Sequence, residues 1–262
     1  MFKTILKVVG VILAAFVLLI GGTIFYIFGL NQKPRSGPDL GHGITQVADS
    51  IATTYLFQLN DGKVALIDAG NDPTGAPILA ALKAIGKTAD DVEAVFITHA
   101  HPDHDAGVNI FTKAKVYAMK EEVEVASGKE AYGSPLSKVL GPTNPHPFHV
   151  TNPLVDQQVV EVGGLKVTAY AVPGHTPGSA VYLARNVLFL GDALSIGKNH
   201  KMRGPVFLFS TDVKQGRTSI AELLKKLEPR FKEIEFVTSS HSGTLTGEEG
   251  IKAIQDFVVA NP

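Results

Sequence analysis

The sequence predicts a layered α/β or α+β sandwich preceded by one membrane-spanning helix. Three observations carry this. Short β-type runs alternate with amphipathic helical ones from Ile44 onward, which is the pattern of sheets with helices laid against them. Apolar strand-length runs repeatedly give way to glycine-bearing loops. Finally, the mean hydropathy of +0.15 is high for a chain with 19% charged residues, and the excess is concentrated at the start.

The run from Val8 to Leu30 (VVGVILAAFVLLIGGTIFYIFGL) carries no charge. As a helix of ~23 residues it would rise ~34 Å, enough for a hydrocarbon core. A core helix of that length would show a polar face, and a cleaved signal would have a shorter apolar region and a small-residue site after it. The expectation is therefore an uncleaved single-pass anchor. Lys3 and Lys7 precede it and Lys33 and Arg35 follow. A short basic N-terminus favours the inside, which places the rest of the chain outside the cytoplasmic membrane. The Pro- and Gly-rich stretch Gln32–Gly43 reads as a linker. Residues 1–35 are thus expected to be anchor and linker, and 36–262 one domain.

Residues 1–35 hold four basic and no acidic side chains, leaving 20 basic against 25 acidic in the remainder. That acidic balance argues against a nucleic-acid partner. The chain has no cysteine, so it has no disulfide and no thiolate metal site.

Within the domain, Thr53–Leu59 and Lys63–Asp68 flank Asn60-Asp61-Gly62, a hairpin signal. Ile78, Leu79, Leu82 and Ile85 share one face of a helix over Pro77–Ile85. Val92–Thr98 reads as a buried strand. Further strands are expected at Lys115–Ala118, Gln158–Val162, Leu165–Val172, Ser179–Ala184, Val187–Leu190 and Ile234–Ser239. Helices are expected over Val213–Leu227 and, after a capping box at Thr246–Glu249, over Glu248–Val259. Ser127–Thr151 reads as a long loop or lid, and its His146 and His149 could line a pocket.

The chemistry is concentrated in His99-Ala-His101-Pro-Asp103-His104, directly after the Val92–Thr98 strand. Two histidines at i and i+2 of extended backbone point the same way and can grip one ion. Pro102 fixes the turn that aims Asp103 and His104 at a neighbouring point. His175 in PGHTPGS, Asp192 in GDAL and His241 in SSHSG each stand where an apolar strand ends. Seven nitrogen and oxygen ligands suffice for two metal ions.

HAHPDH, PGHTPGS, GDAL and SSHSG, with IDAG around Asp68 upstream, resemble the metallo-β-lactamase superfamily of binuclear zinc hydrolases from Ile44 to the C-terminus. The resemblance implies a four-layer αββα sandwich with two Zn(2+) ions at one sheet edge, iron or manganese being other occupants. It implies His99, His101 and His175 on the first ion, Asp103, His104 and His241 on the second, and Asp192 bridging. Asp68 resembles the acid that orients the histidine loop. It further implies a hydroxide held between the metals as nucleophile, Asp103 helping to orient it, and a small ester, thioester, lactone or amide as substrate.

Subfamily patterns divide the possibilities. Glyoxalase II enzymes resemble the chain in all seven ligands but continue into a helical extension, where this chain ends 21 residues after His241. Lactonases place a tyrosine just after the bridging aspartate, where Ala193-Leu194-Ser195 stand here. β-Lactamases of the all-histidine subclass generally lack the bridging carboxylate. Two further readings are a mononuclear iron oxygenase resembling persulfide dioxygenase, which would leave His104 and His241 idle, and a non-catalytic membrane-tethered binding module. Lys198, His200, Lys201 and Arg203 form a basic loop that could attract an anionic substrate, and Val206–Phe209 is apolar enough for a pocket wall.

Overall fold

The computed structural model describes residues 2–25, 29–35, 39–131, 133–140 and 144–262. Helix α1 covers Phe2–Ile24. The first sheet contains β1 (Ile44–Asp49), β2 (Ala52–Gln58), β3 (Val64–Ile67), β4 (Val92–Phe96), β5 (Lys115–Met119) and β6 (Asn152–Leu154), in that spatial order. The first three strands form an antiparallel meander, and β3 to β6 run parallel. Parallel neighbours need crossovers. These are α2 (Ala76–Ala84) between β3 and β4, α3 (Pro102–Asp105) between β4 and β5, and α4 (Val123–Ala126) with α5 (Pro135–Leu140) between β5 and β6.

The second sheet is built from β7 (Val159–Val162), β8 (Leu165–Ala171), β9 (Ala180–Ala184) and β10 (Val187–Phe189). A two-stranded ribbon, β11 (Ser195–Ile196) with β12 (Met202–Arg203), then leads through α6 (Val213–Leu227) to β13 (Phe236–Ser239), β14 (Gly243–Thr246) and α7 (Gly247–Ala260). The order is β14-β13-β10-β9-β8-β7, antiparallel except for β10 against β13.

Three hydrophobic clusters define the layers. One lies between the sheets, with Tyr55, Phe57 and Phe96 facing Tyr182 and Phe189. A second joins the outer face of sheet one to Ile78 and Leu82 of α2 and to Phe111, Phe148 and Val150. A third joins the outer face of sheet two to Ile220, Leu223 and Leu227 of α6 and Ile251, Ile254 and Phe257 of α7. The result is a helix–sheet–sheet–helix sandwich, as the resemblance implies.

The expectation of a membrane anchor finds no support among the described residues. No helix among the described residues is long and apolar enough to cross a membrane. Helix α1 takes in Lys3 and Lys7, and residues 26–28 of the apolar run lie outside the described residues. The inference that the domain lies outside the cytoplasmic membrane loses its support with it. Asn31 is buried and bridges to Gly197, and Gln32 N–H donates to the Ile196 carbonyl at 2.9 Å, so this end is fastened beside β11.

Candidate metal centre

The predicted ligands stand just beyond strand ends, except Asp103 and His104, which lie in α3. His99 and His101 follow β4, His175 follows β8, Asp192 follows β10 and His241 follows β13, while Asp68 follows β3. These strands share one direction within each sheet, so all these loops emerge at one edge. The sheets are pinned together there. Tyr182 Oη donates to the Ile97 carbonyl at 2.7 Å, and Ala180 N–H donates to the Thr98 carbonyl at 2.8 Å.

At this edge the described residues form three donor groups that could hold a metal ion, each with its donor atoms within 4.8 Å of one another. They are His99, His101 and His175; Asp103, His104 and His241; and, between them, His99, His104 and Asp192. His101 Nδ1 stands 3.0 Å from His175 Nε2, and His104 Nε2 stands 3.3 Å from His241 Nε2. Asp103 Oδ2 is 3.2 Å and Asp192 Oδ2 3.1 Å from His241 Nε2. Asp192 also reaches His104 Nε2 at 3.5 Å and His175 Nε2 at 3.6 Å. Donors arranged tetrahedrally around zinc at ordinary bond lengths stand about 3.4 Å apart. The chemistry and spacing of the set therefore fit divalent cations.

The outward ring nitrogens are fixed, which decides the inward ones. His99 Nδ1 meets Thr98 Oγ1 at 3.0 Å, leaving Nε2 buried and without a hydrogen-bond partner. His104 Nδ1 pairs with Asp68 at 2.9 Å, His175 Nδ1 meets Ser210 Oγ at 3.0 Å and His241 Nδ1 meets the Ile51 carbonyl at 2.6 Å. His101 turns the other way and presents Nδ1.

Asp68 takes more than the turn role. Its two oxygens accept from Thr98 N–H, Thr98 Oγ1, Ser240 Oγ and the His104 ring. It thereby braces His104 directly and His99 through Thr98. Its φ of 61° is left-handed, a region that aspartate tolerates better than most side chains.

Without metal the electrostatics split the histidines. Burial holds His99 and His101 well below the usual imidazole range and lowers His175 to about 4. Burial opposes charge on His104 and His241 as well. Asp192 and Asp103 outweigh it, with Asp68 adding to His104, so His104 lies well above the ordinary value and His241 is raised to about 10.

Other features singled out in the sequence fall outside the donor groups. His149 is exposed and His146 half-buried, and neither joins a group. Their segment contains α5 and buries Phe148 and Val150, so it is partly packed rather than a free lid. In the basic loop Lys198 Nζ donates to the Gly29 carbonyl and His200 lies 3.8 Å from Glu249. Phe207 is exposed. The sequence reading missed Thr98, Ser210, Ser240 and Glu122. The first three flank recognised motifs in space; Thr98 and Ser240 stand close to strand ends, whereas Ser210 follows the single turn Phe207–Phe209.

A family profile described as the metallo-beta-lactamase superfamily matches residues 48–231, and the chain belongs to that superfamily. It is 35% identical over 141 residues to a hydroxyacylglutathione hydrolase of Dechloromonas aromatica (strain RCB), covering 53% of this chain and 43% of that protein. A hydroxyacylglutathione hydrolase of Salmonella newport (strain SL254) is 32% identical over 145 residues, 55% of this chain and 48% of that one. The chain thus spans less than half the length of these curated relatives. A metallo-beta-lactamase family protein from Thermus thermophilus superposes with a TM-score of 0.65 at 22% identity, over 85% of this chain and 80% of that chain. A subclass B3 metallo-beta-lactamase of Bradyrhizobium japonicum gives 0.62 at 18% identity, over 88% and 92%. At these identities the structural likeness is one of fold.

Proposed function

We propose that the chain is a divalent-metal-dependent hydrolase of a small acyl substrate, with a thioester as the first candidate, and that residues 36–262 carry the activity. The supporting observation is the meeting of all seven His and Asp side chains at one sheet edge. In this reading His99, His101 and His175 hold one ion, Asp103, His104 and His241 hold the other, and Asp192 lies between them. Zinc is the natural occupant of such a nitrogen and oxygen set. Two such ions would supply Lewis acidity toward a carbonyl and water deprotonated near neutral pH.

The chain's own residues do the remaining work. Thr98, Asp68, Ser210 and the Ile51 carbonyl hold four imidazoles in the tautomer that turns Nε2 inward. Asp103 and Asp192 bring negative charge that balances two cations and can orient a water by accepting its hydrogen bond. His104 and His241 lie within one donor group with Asp103, which favours two ions over the mononuclear iron alternative. The position of Asp192 against both sides favours an acyl hydrolase over the all-histidine β-lactamase pattern. The named relatives point to thioesters.

The test is the full chain loaded with zinc and offered a thioester, an aryl ester, a lactone, a cephalosporin and a phosphodiester. Turnover should be greatest on the thioester. Preferred turnover of the cephalosporin would transfer the reading to the β-lactamases, and one iron per chain with oxygen uptake would overturn hydrolysis.

A further inference from the structure

Glu122 lies outside every donor group, yet it touches the loops on both sides of the three-histidine group. It ends the single turn Lys120–Glu122 after β5 and is fully buried. Oε1 accepts from the Ala100 N–H at 2.7 Å, and Ala100 is the residue between His99 and His101. Oε2 accepts from Thr176 Oγ1 at 2.9 Å and from the Gly178 N–H at 2.7 Å, both in the loop that begins at His175. The first loop leaves sheet one and the second leaves sheet two, so one carboxylate spans the layers directly beside the metal donors.

Two further observations show that the second loop is shaped around this carboxylate. A Cβ at position 178 would lie 2.6 Å from Glu122 Oε2 and 2.5 Å from its backbone nitrogen, so only glycine allows the approach. Thr176 is itself held by Ser179, whose Oγ accepts from the Thr176 N–H and meets its hydroxyl, both at 2.9 Å. A buried carboxylate is also a costly filler for a core, and Glu122 makes no ion pair among the described residues. Apolar packing would hold two loops together at less cost. What a carboxylate adds is directed hydrogen bonding to two backbone amides at once.

We propose that Glu122 is a positioning residue of the metal centre, clasping the His99–His101 turn to the His175 loop so that the three-histidine group forms. The proposal rests on the reading of these histidines as metal ligands. Its consequence is selective. None of Glu122's hydrogen bonds reaches Asp103, His104 or His241, and that group should bind metal without it.

Cobalt(II) titration of the metal-free full chain, followed by its visible spectrum, tests this. The wild type should take up two equivalents, and His101→Ala identifies the one that belongs to the three-histidine group. Glu122→Gln, which keeps the shape but turns an amide NH₂ toward the N–H donors, should weaken that equivalent about 10- to 100-fold. It should change the other by no more than a few fold. Thr176→Val removes one donor of three and should weaken the same equivalent less. Leu223→Ala, in the distant third cluster, should lower Tm and leave both affinities in place. Wild-type affinity for both equivalents in folded Glu122→Gln, or equal weakening of both, overturns the proposal. If Glu122→Gln does not fold, wild-type affinity in Thr176→Val overturns it instead. A wild-type chain that takes up no cobalt overturns the underlying metal reading, an outcome separate from either of these.

Discussion

Asp68 sets the position of both halves of the centre from a single side chain. Its oxygens reach the His104 ring directly and the His99 ring through Thr98, so removing its charge loosens donors of two groups together. Asp68→Asn is expected to reduce metal affinity about 10- to 100-fold. Unchanged metal content after dialysis against a weak chelator would contradict this role. The protonation pattern makes a second prediction. In the metal-free protein Asp192 and Asp103 keep His104 and His241 protonated, while burial keeps His99, His101 and His175 neutral. Metal entering the Asp103, His104 and His241 group must therefore displace protons, and its affinity rises with pH towards about 10, where His241 titrates. Metal entering the three-histidine group displaces none near neutral pH. Calorimetry in two buffers of different ionisation enthalpy would separate the two uptake steps, and proton-free uptake of both ions would contradict the assignment.

The elements act by delivering loops to one edge, and their legibility follows from their length. Helix α6 occupies the predicted Val213–Leu227, because its apolar face repeats along its length and Asp212 caps it through the Lys214 and Gln215 amides. Long strands such as β2 and β8 were legible for the same reason. Strand β6 was not, since it has three residues and contains Pro153. The four- to six-residue helices α3, α4 and α5 are too short to show a period. The ligand cluster was readable because four of its members lie within six residues, whereas Glu122 and Ser210 gain their partners only when the two sheets pack. Two substitutions separate packing from site geometry. Leu223 is fully buried in α6, so Leu223→Ala should cost about 2–5 kcal/mol in denaturant unfolding while metal stoichiometry is kept. Gly174 has φ 143°, and a Cβ there would run into the backbone of Gly216 in α6. Gly174→Ala should lower Tm and displace His175 as well, so loss of one metal equivalent accompanies its loss of stability.

At the scale of the molecule, the high mean hydropathy of the sequence belongs to the N-terminal run, where helix α1 covers Phe2–Ile24 and no helix among the described residues is long and apolar enough to cross a membrane. The remainder is a two-sheet sandwich of the metallo-β-lactamase superfamily whose donors converge at one edge. In the proposed reading this edge performs metal-dependent acyl hydrolysis. His101→Ala and Asp192→Ala should each remove most of the activity together with bound metal, as measured by elemental analysis of the same preparations. The most direct measurement is thioester hydrolysis by the full chain before chelation, after chelation and after zinc is restored, with metal counted at each stage. Two zinc ions per chain, loss of turnover with their removal and recovery with their return are expected. Full turnover in a chain stripped of metal would contradict that reading.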